Sequence, residues 1–420
     1  MILKRIVFAV LLLAVFFTAK AQQDTTQQIT QNKYNSLAQQ QKPYVVLISL
    51  DGFRWDLAEK YQATNLLKIK QTGVFAEYMK PSYPSLTFPN HYTIATGMYP
   101  SHHGLVDNIF YDKAKDVTYK NSNKVTATDS SFYGGKPLWT LAEEQEMLSA
   151  VFYWPGSEAS NNGVRPTYYY KYNEVTPVEN RIETVKNWLQ LPANRRPHFI
   201  ALYFPHVDKA AHKFTADSEQ AKEAVKTVDE AVGKLMDIAK ETGLPVNFVV
   251  LSDHGMAAVD NINTIPLPKA IDKNQFTVPA GTSILHLYAK DKKYIKPTYR
   301  ALKTEAQDYD VYLAKRVPKR WHYNKKNDAY SRIGDMILVP RLPKVFNITG
   351  IKPEIGQHGF DPANPVMHAI FYATGPNFKT NYQIDAFENV NVYPLIADIL
   401  GLPYTHKIDG KLKVLAPTLK

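Results

Sequence analysis

Four continuous runs of apolar residues restrict the fold of this sequence more than any other feature. They occupy residues 44–50, 149–153, 198–204 and 246–251, and β-branched or aromatic side chains are frequent in them. Strands that are buried on both faces, as in a parallel sheet, carry such runs instead of alternating polar and apolar residues. The runs therefore predict strands in the interior of a parallel sheet.

Helical periodicity fills the intervals between these runs. Apolar residues recur at three- and four-residue spacing over 136–146, 179–189, 218–240 and 390–400, and a further apolar run lies at 367–373. Buried strands that alternate with amphipathic helices are typical of a doubly wound sheet, in which helices cover both faces. We therefore expect an α/β fold with a doubly wound, mostly parallel sheet.

Two stretches depart from this pattern. Residues 259–356 contain short alternating segments, such as 283–288 and 336–340, between many lysines and prolines, and we expect a smaller mixed, β-rich insertion there. Residues 22–42 are rich in Gln and Thr and nearly lack large apolar side chains, which predicts a flexible leader. The main domain is then expected over residues 43–420.

The first residues have the pattern of an export signal. Lys4 and Arg5 precede an apolar run over 6–17, and residues 19–21 offer small side chains for cleavage. A run of about a dozen residues is too short to cross ~30 Å of hydrocarbon as a helix, and no later segment suits stable membrane insertion. We expect a cleaved signal peptide over residues 1–21 and a secreted or periplasmic protein, with an N-terminal hydrophobic anchor as the alternative.

The absence of cysteine limits the chemistry that the chain can use. Disulfides, thiolate metal ligands and lipid-modified cysteine are excluded, so a metal site must use His, Asp, Glu and hydroxyl or water oxygens. The formal net charge of +11 could attract anionic substrates. This charge is widely spread and accompanies no recognition motif, so we expect no sequence-specific binding of nucleic acid. Nothing in the sequence indicates an obligate protein partner.

Carboxylates and histidines lie at the ends of the predicted strands. In open α/β sheets, ligands bind beyond the carboxyl ends of the strands. A single Asp there is often a helix N-cap, and an Asp and a His four residues apart are often a surface contact. Taken together, three Asp and three His supply oxygen and nitrogen ligands that zinc accepts. These residues are Asp51, Asp208, His212, Asp253, His254 and His358.

Thr87 and Asn108 add a hydroxyl and an amide to this set. Thr87 opens a segment that leads into a predicted helix, where backbone N–H groups and the helix dipole favour an anion. Its hydroxyl could merely cap the helix, or metal coordination could make it a nucleophile at neutral pH. Asn108 lies in a predicted turn, where its amide either satisfies the turn or donates to a phosphate oxygen.

Several short motifs follow one another along the chain in a characteristic order. They are Ser49-Leu-Asp-Gly-Phe-Arg54, Thr87-Phe-Pro-Asn-His91, Gly104-Leu-Val-Asp-Asn108, Trp154-Pro-Gly156, Asp253-His-Gly255, His358-Gly359 and Met367-His368. Their order and spacing resemble the nucleotide pyrophosphatase/phosphodiesterase family of the alkaline phosphatase superfamily. The resemblance runs from about residue 45 to residue 379 and implies an alkaline-phosphatase-like catalytic domain over residues 43–420.

By this resemblance, each subunit would bind two zinc ions. The ligands implied for the first ion are Asp208, His212 and His358. Those implied for the second ion are Asp51, Thr87, Asp253 and His254. The resemblance also makes Thr87 the nucleophile and lets Asn108 share a non-bridging phosphate oxygen with the metals.

The resemblance assigns aromatic residues to the substrate pocket as well. Phe88 and Tyr203 occupy the positions whose rings enclose the nucleobase in nucleotide-cleaving members. A third ring comes from the tyrosines at 168, 169 and 172, and we assign this role to Tyr169. The family usually carries Glu-Pro directly before the first zinc Asp, whereas this chain has His206 and Val207 there, which leaves the pocket wall and the substrate open.

The implied function is hydrolysis of nucleotide phosphodiester or pyrophosphate bonds by an exported two-zinc enzyme. Thr87 would attack phosphorus and form a phospho-threonine intermediate, and water would then release a nucleoside monophosphate. The partners expected are therefore nucleotides or other small phosphodiesters.

Three alternatives stay open. A phosphate monoesterase would gain from a cation near the non-bridging oxygens, where Asn108 is neutral and nothing in the sequence directs Arg54 or Arg165 to the site. A diesterase for choline or glycerol headgroups of phospholipids would need an anionic or aromatic cage, and tyrosines are numerous. A metal- or phosphate-binding protein would have no use for the Thr87 hydroxyl. The ligand types also admit manganese or iron.

Overall fold

A large sheet runs through the centre of the structure, a computed structural model that describes residues 25–420. The signal peptide predicted over residues 1–21 lies outside the described residues. In chain order, the strands are β1 (Gln28–Ile29), β2 (Tyr44–Leu50), β3 (Val74–Ala76), β4 (Met79–Lys80), β5 (Ile109–Asp112), β6 (Val117–Lys120), β7 (Ser149–Phe152), β8 (Tyr168–Tyr170), β9 (Phe199–Phe204), β10 (Val246–Leu251), β11 (Ala257–Ala258), β12 (Phe276–Thr277), β13 (Leu285–Ala289), β14 (Tyr309–Leu313), β15 (Met336–Pro340), β16 (Gly356–Gln357), β17 (Phe371–Thr374), β18 (Tyr382–Ile384) and β19 (Phe387–Glu388).

Helices alternate with these strands over most of the chain. Within residues 25–420, no helix is both long enough and apolar enough to cross a bilayer. The α-helices are α1 (Leu57–Lys60), α2 (Thr64–Thr72), α3 (Thr87–Thr96), α4 (Pro100–His103), α5 (Lys124–Ala127), α6 (Leu138–Glu144), α7 (Val178–Leu189), α8 (His206–Phe214), α9 (Glu219–Thr242), α10 (Ile295–Glu305), α11 (Val392–Leu400) and α12 (Leu412–Leu415).

The central sheet of the described chain has nine strands, in the order β1-β8-β7-β9-β2-β10-β17-β3-β18. The strands β8, β7, β9, β2 and β10 run parallel to one another, whereas β1 and β17 are antiparallel to their neighbours. The four apolar runs of the sequence form the adjacent strands β7, β9, β2 and β10. The prediction of an α/β fold with a mostly parallel sheet is therefore confirmed.

Burial of β2 on both faces explains its continuous apolar sequence. All seven of its residues are buried. Val45 and Leu47 pack into a core that includes side chains of α3, α6 and α11, whereas Val46 and Ile48 pack into a core with side chains of α2, α7 and α9. Helices therefore cover both faces of the sheet, and the polar residues after each strand are left at its edge.

The stretch at 259–356 has an antiparallel sheet and a hydrophobic core of its own. Its strands are ordered β12-β13-β15-β14, and Leu302 of α10 packs into the core that they form. A buried arginine joins this stretch to the main domain, since Arg332 Nε donates to Asp112 Oδ2 at 2.9 Å. At the end of the stretch, β16 pairs with β11 in a separate two-stranded sheet, and His358 follows it directly.

The leader differs from the flexible segment that its composition predicts. From residue 25 to residue 42 it packs on the domain, and β1 extends the sheet beside β8. Asn35 is buried, and its Nδ2 donates to the carbonyls of Ala193 at 2.8 Å and Arg196 at 2.7 Å. Its Oδ1 accepts from the backbone N–H of Leu148 at 2.7 Å. Hydrogen bonds rather than apolar burial attach this segment, which is why a hydrophobicity pattern does not reveal it.

Candidate active site

The carboxyl ends of neighbouring strands bring the predicted ligands to one edge of the central sheet. Asp51 directly follows β2, Asp208 lies in the first turn of α8 after β9, and Asp253 follows β10 after one residue. His358 reaches the same edge directly after β16. Among the described residues, two groups of three side chains there have ligand atoms within 4.8 Å of one another.

The first group consists of Asp208, His212 and His358. The Nε2 atoms of His212 and His358 lie 3.4 and 3.8 Å from Asp208 Oδ1. Their Nδ1 atoms hydrogen bond to the carbonyls of Gly356 at 2.7 Å and Ser85 at 2.9 Å. Such a second hydrogen bond fixes the imidazole and leaves Nε2 available to a metal.

The second group consists of Asp51, Asp208 and His254. His254 Nε2 lies 3.5 Å from Asp51 Oδ1 and 3.0 Å from Asp253 Oδ2. Its Nδ1 hydrogen bonds to the carbonyl of Gly255 at 2.9 Å, which again directs Nε2 to the cluster. The structure therefore brings the six predicted Asp and His ligands together and places Asp208 between the two groups.

Carboxylate oxygens in this cluster lack hydrogen-bond partners within the described part of the chain. These buried atoms are Asp51 Oδ1 and Asp208 Oδ1, whereas Asp253 Oδ2 contacts the imidazoles of His254 and His91. A buried polar atom without a partner is costly unless water or an ion satisfies it. Carboxylate oxygens together with imidazole nitrogens fit zinc, so these residues form a candidate metal centre.

The two carboxylates at the strand ends differ in their proton affinity. Burial, followed by the charges of Asp253 and Asp208, raises the pKa of Asp51 well above its usual range. Burial also acts to raise the pKa of Asp253, but the imidazoles of His254 and His91 outweigh it and bring that pKa well below its usual range. The site thus concentrates negative charge that a divalent cation would neutralise.

Thr87 stands beside the second group as the first residue of α3. Its Oγ1 lies 3.2 Å from His254 Nε2. The backbone N–H of Phe88 donates to Asn108 Oδ1 at 3.0 Å, which fixes the amide of Asn108 next to Thr87. A hydroxyl, a helix N-terminus and an amide therefore meet at the metal ligands, an arrangement that suits a phosphate group.

His91 is a residue of this site to which the sequence analysis gave no role. It is fully buried one turn after Thr87. Its Nδ1 lies 2.9 Å from the carbonyl of Thr87 and 3.2 Å from Asp253 Oδ2, and its Nε2 lies 2.8 Å from Ser49 Oγ. The spacing of four residues from Thr87 on a predicted helix was the signal that could have identified it.

A cavity of about 510 Å³ opens beside Thr87, and we call it the first cavity. Phe88 and Tyr203, both predicted to contact substrate, line it. The hydroxyl of Tyr203 donates to Asp51 Oδ2 at 2.5 Å, so this tyrosine also contacts a predicted metal ligand. Tyr172 lines the first cavity as well and is 41% exposed.

Tyr169, which we assigned to the substrate pocket, is absent from the described lining of the first cavity. It lies inside β8, where it pairs with Val151 on one side and with Gln28 of β1 on the other. Tyr172 reaches the cavity because it lies two residues beyond the end of β8. A run of tyrosines gives no sign of where the strand ends, so the sequence could not show whether Tyr169 or Tyr172 lines the cavity.

Two charged residues of the first cavity were also missed. Glu158 and Lys124 line it, and Glu158 accepts the backbone N–H of Tyr172 at 2.9 Å. Burial raises the pKa of Glu158. This carboxylate therefore holds the chain at Tyr172 in place beside the cavity.

His206 and Val207, which replace the usual Glu-Pro of the family before Asp208, do not line the first cavity in the described part of the chain. His206 is outside the lining that the described residues form. Burial, assisted by the charge of Arg181, lowers its pKa to about 4, so it is neutral near pH 7. His206, which stands where the family usually has an acidic residue, therefore adds no charge to the wall of the first cavity.

Comparisons with known proteins identify the family that the chain is similar to. The family model for type I phosphodiesterase / nucleotide pyrophosphatase matches residues 45–361. The chain is 34% identical to an uncharacterized pyrophosphatase/phosphodiesterase of Schizosaccharomyces pombe over 387 residues, which are 86% of this chain and 77% of that protein. It is 35% identical to venom phosphodiesterase 2 of Crotalus adamanteus over 380 residues, 85% of this chain and 45% of the relative.

A mammalian relative has a similar degree of identity to the chain. Ectonucleotide pyrophosphatase/phosphodiesterase family member 1 of Rattus norvegicus is 35% identical over 378 residues, 87% of this chain and 41% of the relative. The chain thus spans less than half the length of the venom and rat relatives.

Murine ectonucleotide pyrophosphatase/phosphodiesterase 5 has the same fold, with a TM-score of 0.82 at 28% identity and coverage of 90% of this chain and 100% of that one. An inactive threonine-to-alanine variant of the murine protein, in complex with AMP, gives a TM-score of 0.83 at 27% identity and covers the same shares of both chains. From the family match and the site geometry together, this chain belongs to the type I phosphodiesterase / nucleotide pyrophosphatase family of hydrolases.

Proposed function

We propose that the chain is a metal-dependent phosphodiesterase that uses Thr87 to cleave nucleotide phosphodiester or pyrophosphate bonds and release nucleoside monophosphates. The observation that carries this proposal is the position of the Thr87 hydroxyl, 3.2 Å from His254 Nε2 in the wall of the first cavity. A protein that only bound metal or phosphate would need no hydroxyl nucleophile there.

Two zinc ions per subunit are the cofactors of the proposed enzyme. The residues that would hold the first ion are Asp208, His212 and His358. Those that would hold the second are Asp51, Asp253 and His254. When bound, a pair of such ions stabilises both the attacking and the leaving oxygen of a displacement at phosphorus. The partnerless carboxylate oxygens support this assignment, and metal analysis of the purified protein tests it.

The reaction consists of two displacements. In the first, Thr87 Oγ1 bonds to phosphorus, the bond to the leaving oxygen breaks, and the proton lost by Thr87 is balanced by one gained by the leaving group. In the second, the oxygen of water bonds to the phosphorus of the phospho-threonine and the bond to Oγ1 breaks. The proton lost by water is balanced by the one that restores the Thr87 hydroxyl, and the nucleoside monophosphate departs. Each displacement inverts the configuration at phosphorus, so the complete reaction retains it.

The start of α3 and the amide of Asn108 position the phosphate for this reaction. Asn108 Oδ1 is occupied by the Phe88 N–H, so its Nδ2 can donate to a non-bridging phosphate oxygen. Donors that are fixed before the reaction stabilise charge as it develops in the transition state. Asn108 is thus a catalytic residue of the proposed mechanism.

The charges around Asn108 favour a diester over a monoester. A monoester carries one more negative charge and would gain from a cation at this point. Arg54 and Arg165 are not part of the described lining of the first cavity. Lys124 does line it, but its charge acts on the carboxylate of Glu158. The proposed enzyme is therefore a diesterase.

The aromatic side chains of the first cavity favour a nucleotide as the retained part of the substrate. Phe88 and Tyr172 offer ring faces on which a base can stack. The complex of the murine neighbour with AMP supports this choice. Glu158 and the exposed ring of Tyr172 also provide an anion and an aromatic face that a choline headgroup would need, so choline diesters are the second candidate.

Turnover of three esters by the zinc-loaded protein tests the proposal. The compounds are an aryl ester of a nucleoside 5′-monophosphate, the corresponding aryl phosphate and glycerophosphocholine. We expect kcat/KM to be at least about tenfold higher for the nucleotide ester, because only this substrate stacks in the first cavity. A preference for the aryl phosphate would make the protein a phosphatase, and a preference for glycerophosphocholine would make it a headgroup diesterase.

Two substitutions separate catalysis from binding. Thr87→Ala should keep its zinc and lose turnover, whereas Thr87→Ser keeps a hydroxyl and should keep measurable turnover. Equal slow rates in the wild type and Thr87→Ala would contradict the proposal and leave a binding protein.

Export is part of the proposed function. The basic and apolar pattern of residues 1–21 and the venom and ectoenzyme names of relatives support it. Fractionation of cells with mass spectrometry of the mature protein tests it. We expect an N-terminus near Gln22 in the exported fraction, and an intact N-terminus in the membrane fraction would indicate an anchor instead.

A further inference from the structure

A second cavity, of about 420 Å³, lies where the stretch at 259–356 meets the main domain, and we call it the seam cavity. Its outer wall consists of side chains from 280–284 and 346–353. It borders the candidate active site at Asn108, His212 and His358. The mechanism proposed above assigns no role to this space.

The seam cavity touches the active site on one side only. Asn108, His212 and His358 line both cavities, whereas Thr87 and Asp51 line the first cavity alone. In an in-line displacement, the leaving oxygen departs on the side of phosphorus opposite the nucleophile. A substrate whose retained part lies in the first cavity beside Thr87 therefore directs its leaving group away from Thr87. The seam cavity adjoins the metal centre at His212 and His358, and Thr87 is not part of its described lining.

We infer that the seam cavity is the leaving-group subsite and that it accepts an uncharged, hydroxyl-bearing group of about the size of a nucleoside. This inference rests on the proposed function, since it takes Thr87 as the nucleophile. The cavity volume lies within the range of about 300–1,000 Å³ that is usual for small-molecule sites.

Hydrogen bonds fix the walls of the seam cavity relative to the metal ligands. Thr282 Oγ1 donates to Gln357 Oε1 at 2.8 Å, and Gln357 directly precedes His358. The backbone N–H of Phe346 donates to the carbonyl of Thr282 at 2.9 Å and so joins the two wall segments. Asn347 Oδ1 accepts the N–H of Gly350 at 2.9 Å and holds the outer loop. The subsite is therefore preformed.

The few charged side chains of the seam cavity make it a poor site for an anionic leaving group such as pyrophosphate. Apart from the histidines of the metal centre, the described lining of the seam cavity has two ionisable side chains. Asp107 is buried and bonded to His286 Nε2 at 3.0 Å, and Lys352 is exposed. A single exposed lysine gives weak compensation for the several charges of a pyrophosphate.

A cationic leaving group also fits poorly. Phe346 is the aromatic residue in the described lining, and it is fully buried, so that it offers no ring face to a choline. The accessible side chains are instead aliphatic, such as Ile348 and Ile351, or carry hydroxyls, such as Thr282 and Thr349. Aliphatic contacts with a few hydroxyl partners suit a nucleoside or another uncharged polyol.

Equilibrium binding to the Thr87→Ala protein tests this inference without turnover. The two ligands are the methyl ester of AMP and a 3′,5′-linked dinucleoside monophosphate whose 5′-AMP half is identical. Both fill the first cavity equally, and only the dinucleoside monophosphate reaches the seam cavity. We expect it to bind at least fivefold more tightly. Equal affinities would overturn the inference.

A pair of exposed isoleucines provides the variant and its matched control. Ile351 lines the seam cavity and is 77% exposed, whereas Ile262 is 76% exposed and lies outside the described lining. In the Thr87→Ala background, Ile351→Trp should remove the preference for the dinucleoside monophosphate, because the indole narrows the cavity. Ile262→Trp should retain it. Loss of the preference in both variants, or in neither, would overturn the inference.

Lys352→Ala tests the uncharged character of the leaving group in the active enzyme. We expect kcat/KM for the dinucleoside monophosphate and for ATP to change by less than about twofold. A selective loss of more than tenfold for ATP would show that Lys352 holds an anionic leaving group. Failure of the proposed function is distinguishable, since the wild type would then hydrolyse neither the dinucleoside monophosphate nor the methyl ester, and the inference would fall with it.

Discussion

The two halves of the candidate metal centre are held by different parts of the fold. The buried half consists of Asp51, Asp253 and His254. These residues lie within three positions of the ends of the central strands β2 and β10, and their side chains are at most 1% exposed. The open half consists of Asp208, His212 and His358, which α8 and β16 supply. In the open half, the side chains of His212 and Asp208 are 20% and 15% exposed.

This difference indicates a division of labour between the halves. The buried half lies next to Thr87 and His91 and so would fix the proposed nucleophile. The open half borders both cavities, which we propose hold the substrate and its leaving group. Buried strand ends provide rigidity, whereas a short helix and a returning strand allow access.

Asp51→Asn should have the largest effect, since it removes a ligand of the buried half. We expect turnover of the nucleotide ester to fall by roughly a thousandfold or more, as for other losses of central electrostatic groups. The metal-free protein, in contrast, should unfold at a higher temperature near pH 7, because an ionised carboxylate among other carboxylates is removed. Turnover assays and thermal unfolding in chelator measure both effects.

The stabilisation by Asp51→Asn should depend on pH in a defined direction. The folded-state pKa of Asp51 lies above its unfolded value of about 4. Its protonated form therefore favours folding at low pH, and this contribution is lost as the pH rises from the unfolded pKa through the folded one. The variant should match the wild type below about pH 4 and exceed it increasingly above. A variant that is less stable than the chelated wild type at pH 7 would contradict this account.

When a chelator is added, the open and buried halves of the metal centre should release zinc at different rates. We expect zinc to leave the wild type in two phases, with the open half first, because its ligands are exposed to solvent. His212→Ala should lack the fast phase and His254→Ala the slow one, as followed with a zinc-sensitive dye. Loss of both ions in a single phase would argue against independent halves.

His91→Gln should have an intermediate effect, since His91 contacts Asp253 and the carbonyl of Thr87 without reaching the cavity. Loss of such a supporting contact usually costs about 10–100-fold in metal affinity or activity. His103→Gln is the matched control, because His103 is equally buried on α4, contacts Thr93 and has a pKa that burial lowers to about 3. Zinc affinity should fall in the first variant alone, and equal losses in both would make His91 merely structural.

Tyr172→Ala should have the smallest of these effects and tests the corrected pocket. We expect kcat/KM for the nucleotide ester to fall about tenfold, which corresponds to a stacked base. A bis-aryl phosphate, which has no base, should be hydrolysed at an unchanged rate. Tyr169→Ala should leave both substrates within about twofold, since Tyr169 lies inside β8. The reverse pattern would restore the original assignment of Tyr169.

Sequence patterns predicted the parts of the molecule in which burial alone determines the residue types, as in strands that are buried on both faces. Continuous apolar runs marked β2, β9 and β10, and the polar residues after them could be placed at one edge because parallel strands end together. The same rule explains why the six predicted Asp and His ligands lie together at that edge in the structure. The open half was harder to place, since β16 belongs to a stretch with its own antiparallel sheet.

Features that depend on packing or on the end of a strand could not be predicted in this way. Asn35 attaches the leader through hydrogen bonds, and Glu158 anchors Tyr172 through the backbone, neither of which leaves an apolar period. The seam cavity lies between the stretch at 259–356, which has its own hydrophobic core, and the main domain, so no local pattern encodes it. His91 is the exception, because its spacing from Thr87 already placed it one helical turn away.

The stereochemical course at phosphorus tests the central role of Thr87 most directly. The substrate is a nucleoside 5′-monophosphorothioate ester of defined configuration, hydrolysed in isotopically labelled water by the zinc-loaded enzyme. Two displacements through a phospho-threonine predict net retention of configuration. Net inversion would mean a single attack by water, and Thr87 would then not be the nucleophile.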